Sequence, residues 1–420
     1  MIALALAGML AAQPCSTAPQ PIACPDSVGA DVRCLSGRDE NGAWYVAAIP
    51  GDWNRTLVVH AHGGPRTSAP EQDDPLGDLD RFSMMVRAGY AWIGSTYRRG
   101  GYGVRMAAED VEVSRRIFQE QIERPDRTLL HGQSWGGNVA AKASELYALS
   151  PEGETRFDGV LLTNGVLAGG TRAYEFRADL RAVYQFYCRN HPAPQDTAYP
   201  VWAGLAPESD LTRAGLRERI NACTGVDLEP GERTAEQQAR LDDITAVIGI
   251  SPDTLVSHLN WSTFLFQDLV QNRLNGANPF DNSQTIYRGS SDDQALNAGV
   301  ERFSADPDAV ARLAYDSDLS GLIAVPTLTV HALHDPTVSF DHEALYAGTV
   351  AGAGRTHLLV QTATDEDQHS LLSAPQYVAL LQALERWIET GARPDTTTVQ
   401  TLCSDQVDAA SSCRFVTPWP

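Results

Sequence analysis

Residues 132–136, Gly-Gln-Ser-Trp-Gly, set one serine between two glycines directly after the apolar run that ends at His131. A strand that stops abruptly and turns into a helix needs small residues where its backbone passes close to neighbours, and the residue at the apex is commonly strained. Such a turn exposes the hydroxyl of Ser134. Residues 135–149 (WGGNVAAKASELYAL) carry Ala, Lys, Glu and Leu at helical spacing. Strand, sharp turn and helix therefore follow in the order a nucleophile elbow requires. A serine alone is a poor nucleophile; it needs a base, an acid to orient the base, and donors for a developing oxyanion.

Two later stretches supply the first two. In TLTVHALHDPTVSF (327–340), a strand ends and Asp335 follows in a turn with Pro336 behind it, placing a carboxylate at a sheet edge. In TATDEDQHSLL (362–372), His369 sits in a polar loop before an apolar helix. His369 takes the Ser134 proton as attack begins and returns it to the leaving group, while Asp335 fixes the tautomer and stabilises the imidazolium. Asp365, Glu366 and Asp367 are rival orienters, close to His369 in sequence but reading as a solvated loop.

The order Ser134, Asp335, His369, with the acid after a late strand and the histidine after the last, resembles the α/β-hydrolase superfamily over residues 41–170 and 321–392. The resemblance implies an oxyanion hole from the backbone N–H groups of Gly64, in HAHGGPR (60–66), and Trp135. The string His62-Gly63-Gly64-Pro65 is similar to that of aminopeptidase-like and prolyl-oligopeptidase-like members. Tyr97 and Arg98, in STYRRGGYG (95–103), lie on the next sheet-edge loop and are candidates to line the pocket.

A competing chemistry starts from His60 and His62 at a strand end, with His331, His334 and Asp335 as further metal ligands. Such a site also wants a bridging base and a barrel of strand–helix units, and the helical stretch in the middle of the chain does not fit one. No metal and no cofactor is expected. No cysteines stand as a CxxC pair either.

The 420 residues, 43% hydrophobic, are enough for one large domain with an insertion or for two domains. A net charge of -21 argues against nucleic acid and against stable association with an anionic membrane, both of which repel it. Residues 1–12 (MIALALAGMLAA) are apolar, too short to span a bilayer and end in small residues, so an export signal and a periplasmic or extracellular location are expected. Pro14 directly before Cys15 speaks against a lipoprotein site. Seven cysteines agree with export. Cys188 is expected to pair with Cys223 and Cys403 with Cys413, with one pair among Cys15, Cys24 and Cys34.

The elements that must hold these groups read as a mostly parallel sheet flanked by helices: an α/β fold. Strands are expected at 43–50, 56–62, 90–97, 127–132, 159–165, 325–333 and 356–362, with helices at 106–121 and 376–390. Domain boundaries follow: a cysteine-containing segment at 13–40, the first part of the core at 41–169, a mainly helical cap at 170–320 over the sheet's C-terminal edge, the second part of the core at 321–393, and an extended tail at 394–420. The cap's HLNWSTFLFQDL (258–269) reads as an amphipathic helix that could lay Trp261 over the site. The substrate is a small ester or a short peptide. An aminopeptidase would need acids for the substrate ammonium, for which Asp268 and residues 290–293 (SSDD) are candidates, so ester hydrolysis is favoured over peptide cleavage.

Overall fold

The computed structural model describes residues 16–406 and 413–416. Ten strands form one sheet: β1 (Thr17–Ile22), β2 (Val32–Arg38), β3 (Trp44–Pro50), β4 (Thr56–Ala61), β5 (Ala91–Ser95), β6 (Arg127–Gln133), β7 (Gly159–Thr163), β8 (Thr327–Ala332), β9 (Leu359–Thr364) and β10 (Phe415–Val416). Their order is β1-β2-β3-β5-β4-β6-β7-β8-β9-β10. The run from β5 to β9 is parallel, and β1, β2, β3 and β10 pair antiparallel at its two ends.

The parallel strands are buried on both faces, which is why they are continuous apolar runs rather than alternating ones. Leu57, Val59, Leu130, Val160 and Leu162 face one core, with the helices Val104–Ile117 and Trp135–Tyr147. Val58, Leu129, Leu161, Leu328 and Val330 face the other, with the helix Ala374–Thr390. The seven expected strands are present within a few residues of their expected bounds.

Residues 164–326, between β7 and β8, hold helices including Glu175–Cys188, Arg213–Thr224, Ala235–Ile248 and Pro307–Ser317, and no strand among the described residues. Their apolar residues, among them Leu180, Val183, Leu216, Ile220, Leu241 and Phe266, belong to the first core. The disulfide Cys188–Cys223 ties two of these helices together.

At the N-terminal end, Cys24–Cys34 is the disulfide formed among the first three cysteines. Cys15 and the expected signal at 1–12 lie outside the described residues. The C-terminal tail is not simply extended as expected. Asp395 accepts a hydrogen bond from the Thr398 amide and starts a helix, Thr396–Ser404, that buries Val399, Leu402 and Cys403 in the second core. Cys403 is bonded to Cys413, and β10 follows along β9. Between them the Arg414 carbonyl accepts from Asp365 N at 2.8 Å, and its guanidinium reaches Glu366 at 2.9 Å. The tail thus braces the loop that leads to His369.

Candidate active site

β6, in the middle of the sheet, ends at Gln133, and the helix Trp135–Tyr147 starts two residues later. Ser134 between them has φ 58° and ψ -127°, a conformation side-chain-bearing residues rarely adopt. The glycines on either side make the turn sterically feasible. A Cβ on Gly132 would lie 2.1 Å from the Gly136 carbonyl oxygen, and one on Gly136 would lie 2.2 Å from that of Ala61. The strained apex is held by its backbone: Ser134 N donates to Thr163 O at 3.0 Å, and its carbonyl accepts from Gly137 N and Val166 N, each at 2.9 Å.

His369 and Asp335 arrive from the loops after β9 and β8. His369 Nε2 is 2.8 Å from Ser134 Oγ, and its Nδ1 is 2.7 Å from Asp335 Oδ2. An ionised carboxylate only accepts, so Nδ1 carries the hydrogen and Nε2 is left free to accept the serine proton. Asp335 is buried and fully engaged. Its Oδ2 also accepts from Asn164 Nδ2 at 2.8 Å, and its Oδ1 accepts from Thr337 N at 2.8 Å and Val338 N at 3.0 Å. Burial pushes its pKa up, but the hydrogen bond and charge of His369, with that of His331, outweigh this and bring it down to about 2. Of the rival acids, Glu366 is turned to Gln376 and Arg414, and Asp365 is an exposed partner of Arg414.

The loop after β4 stands against the elbow. A Cβ on Gly63 would be 2.9 Å from Gln133 O and 3.8 Å from Ser134 Cβ. Gly64 has φ 74° with open space around it, so its backbone angle rather than crowding calls for glycine. Trp135 N–H is the first amide of its helix and has no acceptor within that helix. His62 Nδ1 bonds Asp78 Oδ2 at 2.6 Å.

Tyr97 and Arg98 are placed differently from the expectation that they line the pocket. Tyr97 is buried and donates its hydroxyl to the His62 carbonyl at 3.0 Å, so it braces the Gly63–Gly64 loop. Arg98 pairs with the buried Asp110, with Nε 2.7 Å from Oδ1, and with Glu109, so its Nε and Nη2 are committed to helix carboxylates. Trp261 is half-buried and stacks on Tyr174 at 4.2 Å between centroids, while Tyr102 bridges it to Trp135, meeting Trp261 edge-on at 6.5 Å and Trp135 at a tilt at 5.9 Å. Its segment is not one regular helix: Leu255–Asn260 is α-helical and Trp261–Leu265 widens into a π turn.

With the serine at the turn after β6, the acid after β8 and the histidine after β9, the chain order and the side-chain geometry agree. Known structures of esterases and lipases are similar to this chain. An esterase from Aspergillus oryzae is 15% identical, over 90% of this chain and 86% of that one, with a TM-score of 0.48. Candida antarctica lipase A in its closed state is 13% identical, over 91% and 84%, with a TM-score of 0.47. The rice cell wall degrading esterase LipA from Xanthomonas oryzae is 17% identical, over 90% and 97%, with a TM-score of 0.43. The likeness of these structures to this chain is one of fold. No protein-family model and no curated protein matches it.

The histidines of the competing metal chemistry do not converge. Parallel register sets His60 beside His131, with their Nδ1 atoms 3.0 Å apart inside the second core, while His62 is held by Asp78 and His334 is exposed. Other groups at the site carried no signal in the sequence. Asn164, at φ 47°, orients Asp335 from the end of β7. From the helical segment between β7 and β8, Arg177 Nη2 donates to Thr337 O at 3.3 Å and His258 Nε2 to Pro336 O at 3.1 Å, so both grip the Asp335 turn. Burial pulls the pKa of Arg177 down to about 10 and, with Arg177 beside it, that of His258 to about 3.

Proposed function

We propose that this chain is an exported serine hydrolase that cleaves carboxylic esters through an acyl-enzyme on Ser134. The observation that carries this is the unbroken hydrogen-bonded chain from Ser134 Oγ through His369 to Asp335, at 2.8 and 2.7 Å. Ser134 Oγ attacks the ester carbonyl while His369 Nε2 takes its proton. The oxyanion is met by the N–H groups of Gly64 and Trp135, and the alcohol leaves with the proton from His369. Water then repeats the sequence on the acyl-enzyme, again with His369 as base.

Esters are favoured over peptides because the acids the sequence offered for a substrate ammonium are engaged within the fold. Asp268 is bonded to Arg273 and to the Tyr102 amide, Asp292 caps the helix Asp293–Gly299, and Asp293 accepts from Ser290. Residues 170–320 act as the cap in this reading, with Trp261 at its inner side. Three disulfides agree with an oxidising compartment. No helix among the described residues is long and apolar enough to cross a membrane.

The test is a side-by-side assay on p-nitrophenyl esters and on aminoacyl and prolyl p-nitroanilides, with Ser134→Ala as the control. Ester turnover that vanishes in the variant is expected. Faster cleavage of the anilides would move the assignment to a peptidase, and retention of activity in the variant would sink the mechanism.

A further inference from the structure

Beside Asp335 the structure buries a second imidazole–carboxylate pair that the hydrolytic steps do not use. His331 lies in β8 and Glu343 on the helix Asp341–Gly352; they are 0% and 1% exposed. His331 Nε2 is 2.9 Å from the Val338 carbonyl oxygen. A carbonyl only accepts, so Nε2 carries a hydrogen. On the other side of the ring, Nδ1 is 3.4 Å from Glu343 Oε1. Glu343 Oε2 already accepts from Thr329 Oγ1 and Gln361 Nε2, each at 2.5 Å. Neither atom has another hydrogen-bond partner, so a proton must lie between them, and the two hydrogen bonds accepted by Oε2 favour a carboxylate and leave that proton on Nδ1.

The ring also touches the acid of the triad. Nε2 is 3.6 Å from Asp335 Oδ2, the oxygen that receives His369. Val338, whose carbonyl His331 holds, gives its own N–H to Asp335 Oδ1. One imidazole therefore closes the turn that carries Asp335 and stands between two buried carboxylates. We propose that His331, held as an imidazolium by Glu343, is a positioning residue that fixes the Asp335–Val338 turn and supplies the counter-charge keeping Asp335 anionic while it orients His369.

This rests on the serine-hydrolase reading of the triad. Burial opposes a charge on His331, but the Glu343 and Asp335 carboxylates outweigh it and raise its pKa. The other titratable groups around it are His342, on the same helix as Glu343 and kept neutral by burial and by the charge on His331, and Arg177, which acts on His342 and Asp335. Tyr346 packs near Glu343 and stays protonated.

Loss of a positive charge beside the triad favours its protonated, inactive state and so moves the acid limb of the kcat/KM profile to higher pH. In Glu343→Gln, His331 becomes neutral but can still donate to Val338. The limb is expected to rise by about half a pH unit or more. Glu343→Asp, which keeps the charge, should bring it back toward the native position. His331→Gln, which can still donate but carries no charge, should shift it in the same direction as Glu343→Gln. A merely structural pair would lower the melting temperature and leave the limb in place, and that result would overturn the proposal. Should these variants fail to fold, the native protein labelled with 15N-histidine decides the matter by NMR. One imidazolium with both ring nitrogens protonated should persist above pH 8; its absence would overturn the proposal. An enzyme inactive on every ester and anilide would fail the hydrolase reading instead, and leaves the NMR outcome to be read independently.

Discussion

Ser134 contributes one partly buried hydroxyl at a backbone position fixed by its neighbours, so Ser134→Ala should remove the chemistry and leave the fold. A loss of roughly 10⁴-fold or more in kcat is expected, with an unchanged circular dichroism spectrum and melting curve. Asp335 gives a prediction in pH. Its pKa is lowered from 3.8 to about 2 on folding. Its contribution is therefore fully present above the higher value and is lost as pH falls through the lower one, with a size of about 2 kcal/mol. Urea melts between pH 2 and 5 should show that slope in the native protein and a shallower one in Asp335→Asn. At this scale the hydrogen-bonded grouping of Ser134, His369 and Asp335 was legible because each member carries a local mark: glycines around the serine, a strand end and proline around the acid, a polar loop around the histidine. Asn164 and Glu343 carried none and His331 was marked only as a metal-ligand candidate, because all three meet Asp335 only once parallel pairing has set β7, β8 and the helix after them side by side.

Between elements, the glycines at the elbow and in the oxyanion loop should respond differently to the same substitution. Gly136→Ala sets a methyl against the Ala61 carbonyl, so the helix Trp135–Tyr147 must move off β4, and a loss of roughly 1–3 kcal/mol or more is expected in a denaturant melt. Gly64→Ala has room but the wrong backbone angle. It should cost about 1–2 kcal/mol in stability while lowering kcat by roughly 10²-fold, as a displaced oxyanion donor does. Trp261→Ala should change the relative kcat/KM of small and bulky acyl esters by about tenfold, equal to ~1.4 kcal/mol. An equal loss on all esters with a lower melting temperature would make it a packing residue. The central strands were readable as apolar runs. β1 and β2 were not: β1 is an edge strand with prolines at positions 19 and 21 and mostly exposed side chains, so no burial pattern marks it. The π turn at Trp261 was hidden too, since its residues keep a helix-like spacing.

Over the whole molecule, the disulfides fasten the two ends of the sheet and the helical segment rather than the centre. Non-reduced peptide masses should show Cys24–Cys34, Cys188–Cys223 and Cys403–Cys413, and each bond typically stabilises by about 2–4 kcal/mol. Free thiols at all of these sites in the native protein would undo the export reading. The expected pairings at 188–223 and 403–413 were legible from spacing, whereas the helix between residues 396 and 404 was concealed in a polar tail whose few apolar residues find their core only after the sheet exists. The bond at Cys403–Cys413 differs from the others in what hangs on it, because Arg414 and β10 lie against the strand and loop that deliver His369. In the proposed hydrolase, synthesis in a reducing compartment would therefore leave the Ser134 turn formed and the His369 loop without this fastening. Refolding under a glutathione couple should show ester hydrolysis appearing in step with this bond and after the sheet has formed, and Cys403→Ser with Cys413→Ser should lower kcat while its near-ultraviolet spectrum stays close to native.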